Sequence, residues 1–287
     1  MRKTCLIIFL IFNLTLVAQA ETAVTFGVYT SDKPSRMVKK FKPLLKHLEQ
    51  KMSVQLQEKT VIHMQVYATY QRGIDALTTG KVDFMRLGPA SYVFAKRTEP
   101  GLSILVMESQ KGKKTFKGII CTHLNSSIQT VKDLKGKRFA FGNMKSTIGR
   151  YLSQNHMMSQ GIYAKDLREY AYLGRHDIVG AAVSAKKYDA GALKEGTFNK
   201  LLAKGYKLRK IADFDNVTKP WVSRKLLNNN IRAALQSSLL SLTDKKIMTA
   251  YGKQGFLTGN DQDYESIRQA ISQNVNFSDD NIEGEQK

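Results

Sequence analysis

Arg138-Phe139-Ala140-Phe141-Gly142-Asn143-Met144-Lys145-Ser146-Thr147-Ile148-Gly149-Arg150-Tyr151-Leu152 is the stretch on which the reading of this chain turns. A short apolar strand stops at a glycine, and two hydroxyl residues stand where an amphipathic segment begins. The first amides of a helix have no partner inside it and lie at the positive end of its dipole. A turn that sets Ser146 and Thr147 beside those amides offers hydroxyls and N–H groups to a tetrahedral oxyanion. The same residues also suit an ordinary helix N-cap, so the flanking chain has to decide.

Outward from the turn, strand-like and helix-like segments alternate. Residues 24–29, 61–67, 82–85 and 102–107 read as strands. Met37, Phe41, Leu44, Leu45, Leu48 and Met52 recur at helical spacing. Residues 73–79 read as a short helix closed by Gly80, and Pro89 suits the first turn of a helix reaching about Lys96. A second unit begins near Thr115, with strands at 116–121, 137–141 and 170–173. Short helices fall at 131–134 and 178–185, and a longer one runs from about 148 to 160. Residues 188–192 lead to a further turn, 208–212 begin a return passage, and helices after Ile231 pack back onto the first unit.

This βα alternation predicts parallel sheets covered by helices, with ligands at the carboxyl ends of the strands. The loops at Thr30, Arg86, Ser146 and His176 are all of that kind. The expected fold is α/β, two-lobed, with the ligand cleft between the lobes. Residues 21–112 with 215–287 form lobe 1, and residues 113–214 form lobe 2.

Residues 1–20 read as a secretory signal peptide. Arg2 and Lys3 precede an apolar run, and Ala18-Gln19-Ala20 is a small-residue cleavage site. The expected location is therefore the periplasm, and Cys5 is not placed to carry a lipid. With those residues removed only Cys121 remains, which excludes an internal disulfide. The net charge is +21, of which Arg2 and Lys3 contribute two. Such a field attracts anions. The lysines are scattered rather than clustered, and no aromatic–basic array suggests a single-strand nucleic-acid platform.

Several further motifs stand in a fixed order. Phe26-Gly27-Val28 is followed by Pro34, and Gly80-Lys81-Val82-Asp83 by Leu87-Gly88-Pro89-Ala90-Ser91-Tyr92. After Phe141-Gly142 and Ser146-Thr147 come Gly174-Arg175-His176-Asp177, then Val183 with Asp189-Ala190-Gly191, and Gly255-Phe256 with Asp263-Tyr264. Each is weak alone, but together they resemble the phosphonate- and phosphate-binding proteins of bacterial ABC importers. These lie in the type II periplasmic binding-protein superfamily, and the resemblance covers nearly all of the chain after residue 20.

The resemblance implies two lobes joined by two crossing strands and closing on an oxyanion. The family's Ser-Thr-Ser turn, which holds the phosphonate group, falls on Ser146, Thr147 and Ile148. Its histidine falls on His176, and a cleft tyrosine at or beside Tyr70. There are two departures. Ile148 replaces the third hydroxyl and leaves only its backbone amide, and Lys219, before Pro220, stands where aminophosphonate binders carry an acid. A lysine repels an ammonium group, which favours phosphate, phosphite or a simple alkyl or acidic phosphonate. Arg86, at a strand end facing the expected cleft, suits bidentate oxyanion recognition. The implied partners are a small anionic ligand and an ABC permease of the inner membrane, with the protein a monomer.

The sequence also admits other classes. The same fold can serve a membrane sensor, and a polyanion-binding surface protein fits the charge. An enzyme built on Ser146, His176 and Asp177 lacks the G-x-S-x-G nucleophile elbow. No metal-ligand spacing is present, and neither a metal nor a cofactor is expected.

Overall fold

The computed structural model describes residues 21–30 and 34–277. The expected signal peptide and residues 31–33 of the first loop lie outside the described residues. Strands β1 (Glu21–Tyr29), β2 (Lys59–Tyr67) and β3 (Phe84–Arg86) are mutually parallel through β1. Parallel neighbours need a crossover, supplied by helices α1 (Pro34–Leu56) and α2 (Tyr70–Thr78). The period-two pattern of β1 sorts its two faces. Val24, Phe26 and Val28 pack beneath the apolar stripe of α1, while Tyr29 faces the cluster that includes Ile74 and Leu77 of α2.

After helix α3 (Pro89–Thr98) and strand β4 (Ser103–Glu108) the chain crosses to a second sheet. That sheet begins with β5 (Thr115–His123) and β6 (Arg138–Phe141). A π turn (Thr147–Leu152) and α4 (Ser153–Met158) lead to β7 (Glu169–Tyr172) and α5 (His176–Ser184). Strand β8 (Ala190–Lys194), α6 (Glu195–Leu202) and β9 (Leu208–Val217) complete it. The chain then returns as β10 (Pro220–Ser223), α7 (Asn229–Leu240), α8 (Lys245–Tyr251), β11 (Phe256–Leu257) and α9 (Glu265–Gln273). The sheet orders are β11-β4-β10-β3-β1-β2 and β7-β6-β8-β5-β9, one per lobe.

Trp221 of β10 is fully buried and stacks on Phe26 at 4.9 Å between ring centroids. A large buried ring of this kind stabilises the first lobe by about 1.5–3 kcal/mol relative to exposure. It also ties the returning strand to β1, so the crossing strands rest on a packed base.

Three expectations need correction. Strand β9 pairs with β5 from Leu208–His123 to Val217–Thr115, so the boundary expected at 214/215 falls inside a strand. The chain leaves the second sheet only at Thr218 and Lys219. The C-terminal segment does not belong wholly to lobe 1: Phe277 packs on Phe141 at 5.6 Å and on Tyr170, and its carbonyl accepts from the Ala164 amide at 2.9 Å. An apolar side chain at that point completes the core of the second lobe. Finally, the helix expected over 148–160 opens as a π turn, in which the Tyr151 amide reaches back five residues to the Ser146 carbonyl at 3.4 Å.

A candidate oxyanion site between the lobes

In the second sheet β6, β7 and β8 are parallel, β8 and β5 antiparallel, and β5 and β9 antiparallel. The carboxyl ends of β6, β7, β8 and β9 and the amino end of β5 therefore share one edge. In the first sheet the parallel strands bring the starts of α2 and α3 to the facing edge. Between the two edges lies a cavity of about 280 Å³, partly open to solvent. The first lobe contributes Tyr70, Gly88 and Pro89, and Lys219 enters from the crossing segment. The second lobe contributes Ser146, Thr147, Ile148 and His176, with Phe116, Lys194 and Asn216 alongside.

The turn after β6 depends on two glycines. The Gly142 amide donates to the Gly149 carbonyl at 2.8 Å, and the two backbones nearly touch. A Cβ on Gly149 would lie 2.7 Å from Gly142 Cα and 3.0 Å from Ser146 Oγ. Ser146 caps the π turn, its hydroxyl accepting from the Gly149 amide at 3.0 Å. The amides of Thr147 and Ile148 have no acceptor within the turn. Thr147 Oγ1 accepts from the Ala90 amide at 2.9 Å, a bond across the cleft to the first turn of α3. Two helix starts, one per lobe, thus converge on the cavity with their positive ends inward.

Gly149→Ala is expected to abolish this close approach. Overpacking of this kind costs about 1–3 kcal/mol. Both a lower melting temperature and weaker oxyanion binding are expected, checked by thermal denaturation and calorimetric titration of the same preparation. Wild-type behaviour on both would show that the Gly142–Gly149 contact does not shape the turn.

The first lobe fixes its own contribution through Tyr29. Its hydroxyl accepts from the Gly88 amide at 2.6 Å and donates to Ser91 Oγ at 2.8 Å, and its ring stacks on Tyr70 at 4.1 Å. Burial raises the Tyr29 phenol above its ordinary range, so it stays a donor. His176 is the first residue of α5 and is buried at the cavity wall. The neighbouring Asp177 carboxylate pairs with Arg175, Nε to Oδ1 at 3.1 Å.

Arg86 is not among the residues lining the cavity. Its Nε donates to the buried carboxylate of Glu108 and to the Tyr251 hydroxyl at 3.3 Å, and its guanidinium lies over Phe41 at 5.7 Å. Burial opposes the Arg86 charge, but Glu108 and Tyr251 outweigh it and its pKa goes up. The expectation of bidentate ligand contact fails because β3 and β4 share β10 as a neighbour, and Glu108 on β4 captures the guanidinium first. Burial also works against the Glu108 carboxylate, yet the charges of Arg86 and Lys253 hold its pKa well below the usual range. Lys253 Nζ stands 3.3 Å from Glu108 Oε2, and Tyr251 donates to Oε1.

Lys219 lies in this field. Burial pushes its ammonium pKa well down, Arg86, Lys194 and Lys253 add to the effect, and only Glu108 opposes them. The cluster therefore holds more positive than negative charge beside the cavity. Six of the seven residues picked out in the sequence come together here: Tyr70, Ser146, Thr147, Ile148, His176 and Lys219. Gly88 and Pro89 were legible as part of a motif but not as lining. Phe116, Lys194 and Asn216 carried no local signal, because only the pairing of β5 with β8 and β9 brings them to the edge.

The family described as "ABC transporter, phosphonate, periplasmic substrate-binding protein" matches residues 26–264. A probable ABC transporter phosphite-binding protein, PhnD1 of Prochlorococcus marinus (strain MIT 9301), is 24% identical over 253 residues, 80% of this chain and 82% of that protein. The structure of PhnD1 in complex with methylphosphonate superposes with a TM-score of 0.76 at 22% identity, covering 88% of this chain and 98% of that one. A binding-protein component of an ABC phosphonate transporter from Pseudomonas aeruginosa also gives a TM-score of 0.76, at 18% identity over 89% of this chain and 87% of that one. With the family matching most of the chain and the two-lobed fold shared, this protein belongs to the periplasmic substrate-binding proteins of phosphonate ABC transporters.

Proposed function

We propose that the protein captures a small phosphorus oxyanion (phosphate, phosphite or a phosphonate) between its lobes in the periplasm and presents it, as a monomer, to an ABC permease. The observation that carries this reading is the convergence of two helix starts, one from each lobe, on a cavity also lined by His176 and Lys219. Ser146 and Thr147 donate hydroxyl hydrogens and the amides of Thr147 and Ile148 donate N–H groups. His176 and Tyr70 close the wall, and Lys219 supplies charge. Hydrogen bonds to charged groups contribute about 1.5–3 kcal/mol each. Four or five of them offset the ordering cost and leave micromolar binding, about −8 kcal/mol. The ligand bridges the lobes and shifts an open–closed equilibrium towards the closed form. Arg86 acts through Glu108 on the local field and does not touch the ligand.

Calorimetric titration of the purified protein with phosphate, phosphite, methylphosphonate and sulfate tests the reading. Saturable one-site binding of at least one phosphorus oxyanion is expected, tighter than sulfate. No saturable binding of any of them, or sulfate binding most tightly, would overturn it.

The same titration carries a pH prediction. With its pKa lowered in the free protein, Lys219 holds fewer protons than an unfolded lysine below about 10.5. The free protein's stability accordingly rises with pH through the window between that lowered value and the ordinary one. A bound anion favours the ammonium and draws a proton in. Titrations in two buffers of different ionisation enthalpy are expected to show greater net proton uptake in wild type than in Lys219→Met. Equal proton counts would remove Lys219 from the ligand's field.

A further inference from the structure

The phosphoryl-holding turn occupies only one end of the cavity. Ser146 and His176 follow β6 and β7, at one side of the second sheet. The other lining residues of this lobe come from the opposite side. Lys194 ends β8, and Phe116 and Asn216 are paired across β5 and β9. Lys219 follows β9 directly. With strands about 4.8 Å apart, these groups are anchored roughly 5–15 Å along the edge from β6. Lys194 and Lys219 line the cavity together with the residues after β6 and β7.

Two of these residues carry a side-chain polar atom without a hydrogen-bond partner among the described residues. Asn216 is 2% exposed, and its Oδ1 makes no hydrogen bond. Oxygen and nitrogen of such an amide exchange by a simple flip, so the site offers either an acceptor or an NH2 donor pair. Leaving a buried amide unsatisfied is costly, which marks this end of the cavity as built for something polar. Lys219 makes neither an ion pair nor a side-chain hydrogen bond among the described residues. An ammonium-bearing ligand would meet the Lys219 charge there, and an uncharged alkyl tail would leave Asn216 and Lys219 unsatisfied. A carboxylate would accept from both, with Lys194 adding charge and Phe116 walling the apolar spacer.

We propose that Lys219 and Asn216, with Lys194, form a second anion subsite, so that the preferred ligand is a phosphonate or phosphate ester carrying a second anionic group a few carbons from phosphorus. This rests on the oxyanion-binding reading above. Lys219 sits in the crossing segment, and its carbonyl accepts from the Glu108 amide at 3.0 Å. A ligand held at both ends therefore ties the turn of the second lobe to the crossing segment.

The test is calorimetric titration of wild type, Lys219→Met, Asn216→Ala and Ser146→Ala/Thr147→Ala with methylphosphonate, 3-phosphonopropionate and 2-aminoethylphosphonate. Wild type is expected to bind 3-phosphonopropionate at least about tenfold more tightly than methylphosphonate and to bind 2-aminoethylphosphonate most weakly. Lys219→Met and Asn216→Ala are expected to reduce the 3-phosphonopropionate/methylphosphonate ratio several-fold. The turn variant is expected to weaken both ligands and keep the ratio. Methylphosphonate binding as tightly as 3-phosphonopropionate would overturn the second subsite and leave the oxyanion site standing. A ratio unchanged in both Lys219→Met and Asn216→Ala, with thermal melts showing them folded, would do the same. Failure of every phosphonate to bind wild type would overturn both readings.

Discussion

Glu108→Ala is expected to destabilise the protein by about 3–5 kcal/mol, the usual result of removing one partner from a buried charge cluster. Glu108 is fully buried and is the only acid paired with Arg86 and Lys253 among the described residues. Its loss leaves two desolvated cations facing each other beneath the cleft. Glu108→Gln keeps the shape and one acceptor but not the charge, and should recover only part of the loss. The pH dependence follows from the lowered pKa of Glu108. A depressed carboxyl pKa contributes stability that is fully present above the unfolded value, near 4.3, and lost as pH falls through the folded one. Urea denaturation from pH 7 down to pH 3 should show a steeper acid loss in wild type than in Glu108→Gln. A loss below about 1 kcal/mol in Glu108→Ala at pH 7 would contradict this account of the cluster.

The second large effect concerns the turn itself. Ser146→Ala/Thr147→Ala is expected to weaken oxyanion binding at least tenfold, about 1.4 kcal/mol or more. Removing the Ser146 cap and the Thr147 acceptor for the Ala90 amide also costs stability, typically about 1 kcal/mol for a cap. The double variant should therefore melt somewhat lower but cooperatively. Calorimetric titration beside a thermal melt separates the two effects. Unchanged affinity in a folded double variant would remove the turn from the site.

The βα alternation and the core-facing stripe of α1 were legible because they are local periodicities, and the structure places those residues as the periods imply. The turn was legible because a strand, a glycine and two hydroxyls fall within a few residues. The rest depends on contacts distant in sequence. Arg86 looked like a cleft residue because it ends a strand; its acid partner lies 22 residues on, across β10. Asn216 and Lys194 reach the cavity only through the antiparallel return of β9 and β8 beside β5. In sequence Gly142 is a strand stop and Gly149 a helix residue, whereas in the fold the two backbones contact each other. The π register gave no pattern that a 3.6-residue period could reveal. The position of Phe277 after the C-terminal helices points to lobe 1, whereas the apolar gap it fills belongs to lobe 2.

The most direct measurement is an amide ¹H–¹⁵N correlation spectrum of the isotopically labelled protein as methylphosphonate is added. Amides that donate to a bound oxyanion move strongly, whereas screened surface charges respond weakly and to any salt. The account predicts saturable shifts, largest at Thr147, Ile148 and His176, that sodium chloride at the same ionic strength does not reproduce. Shifts confined to amides beside surface lysines, and reproduced by sodium chloride, would contradict an oxyanion site in the cleft.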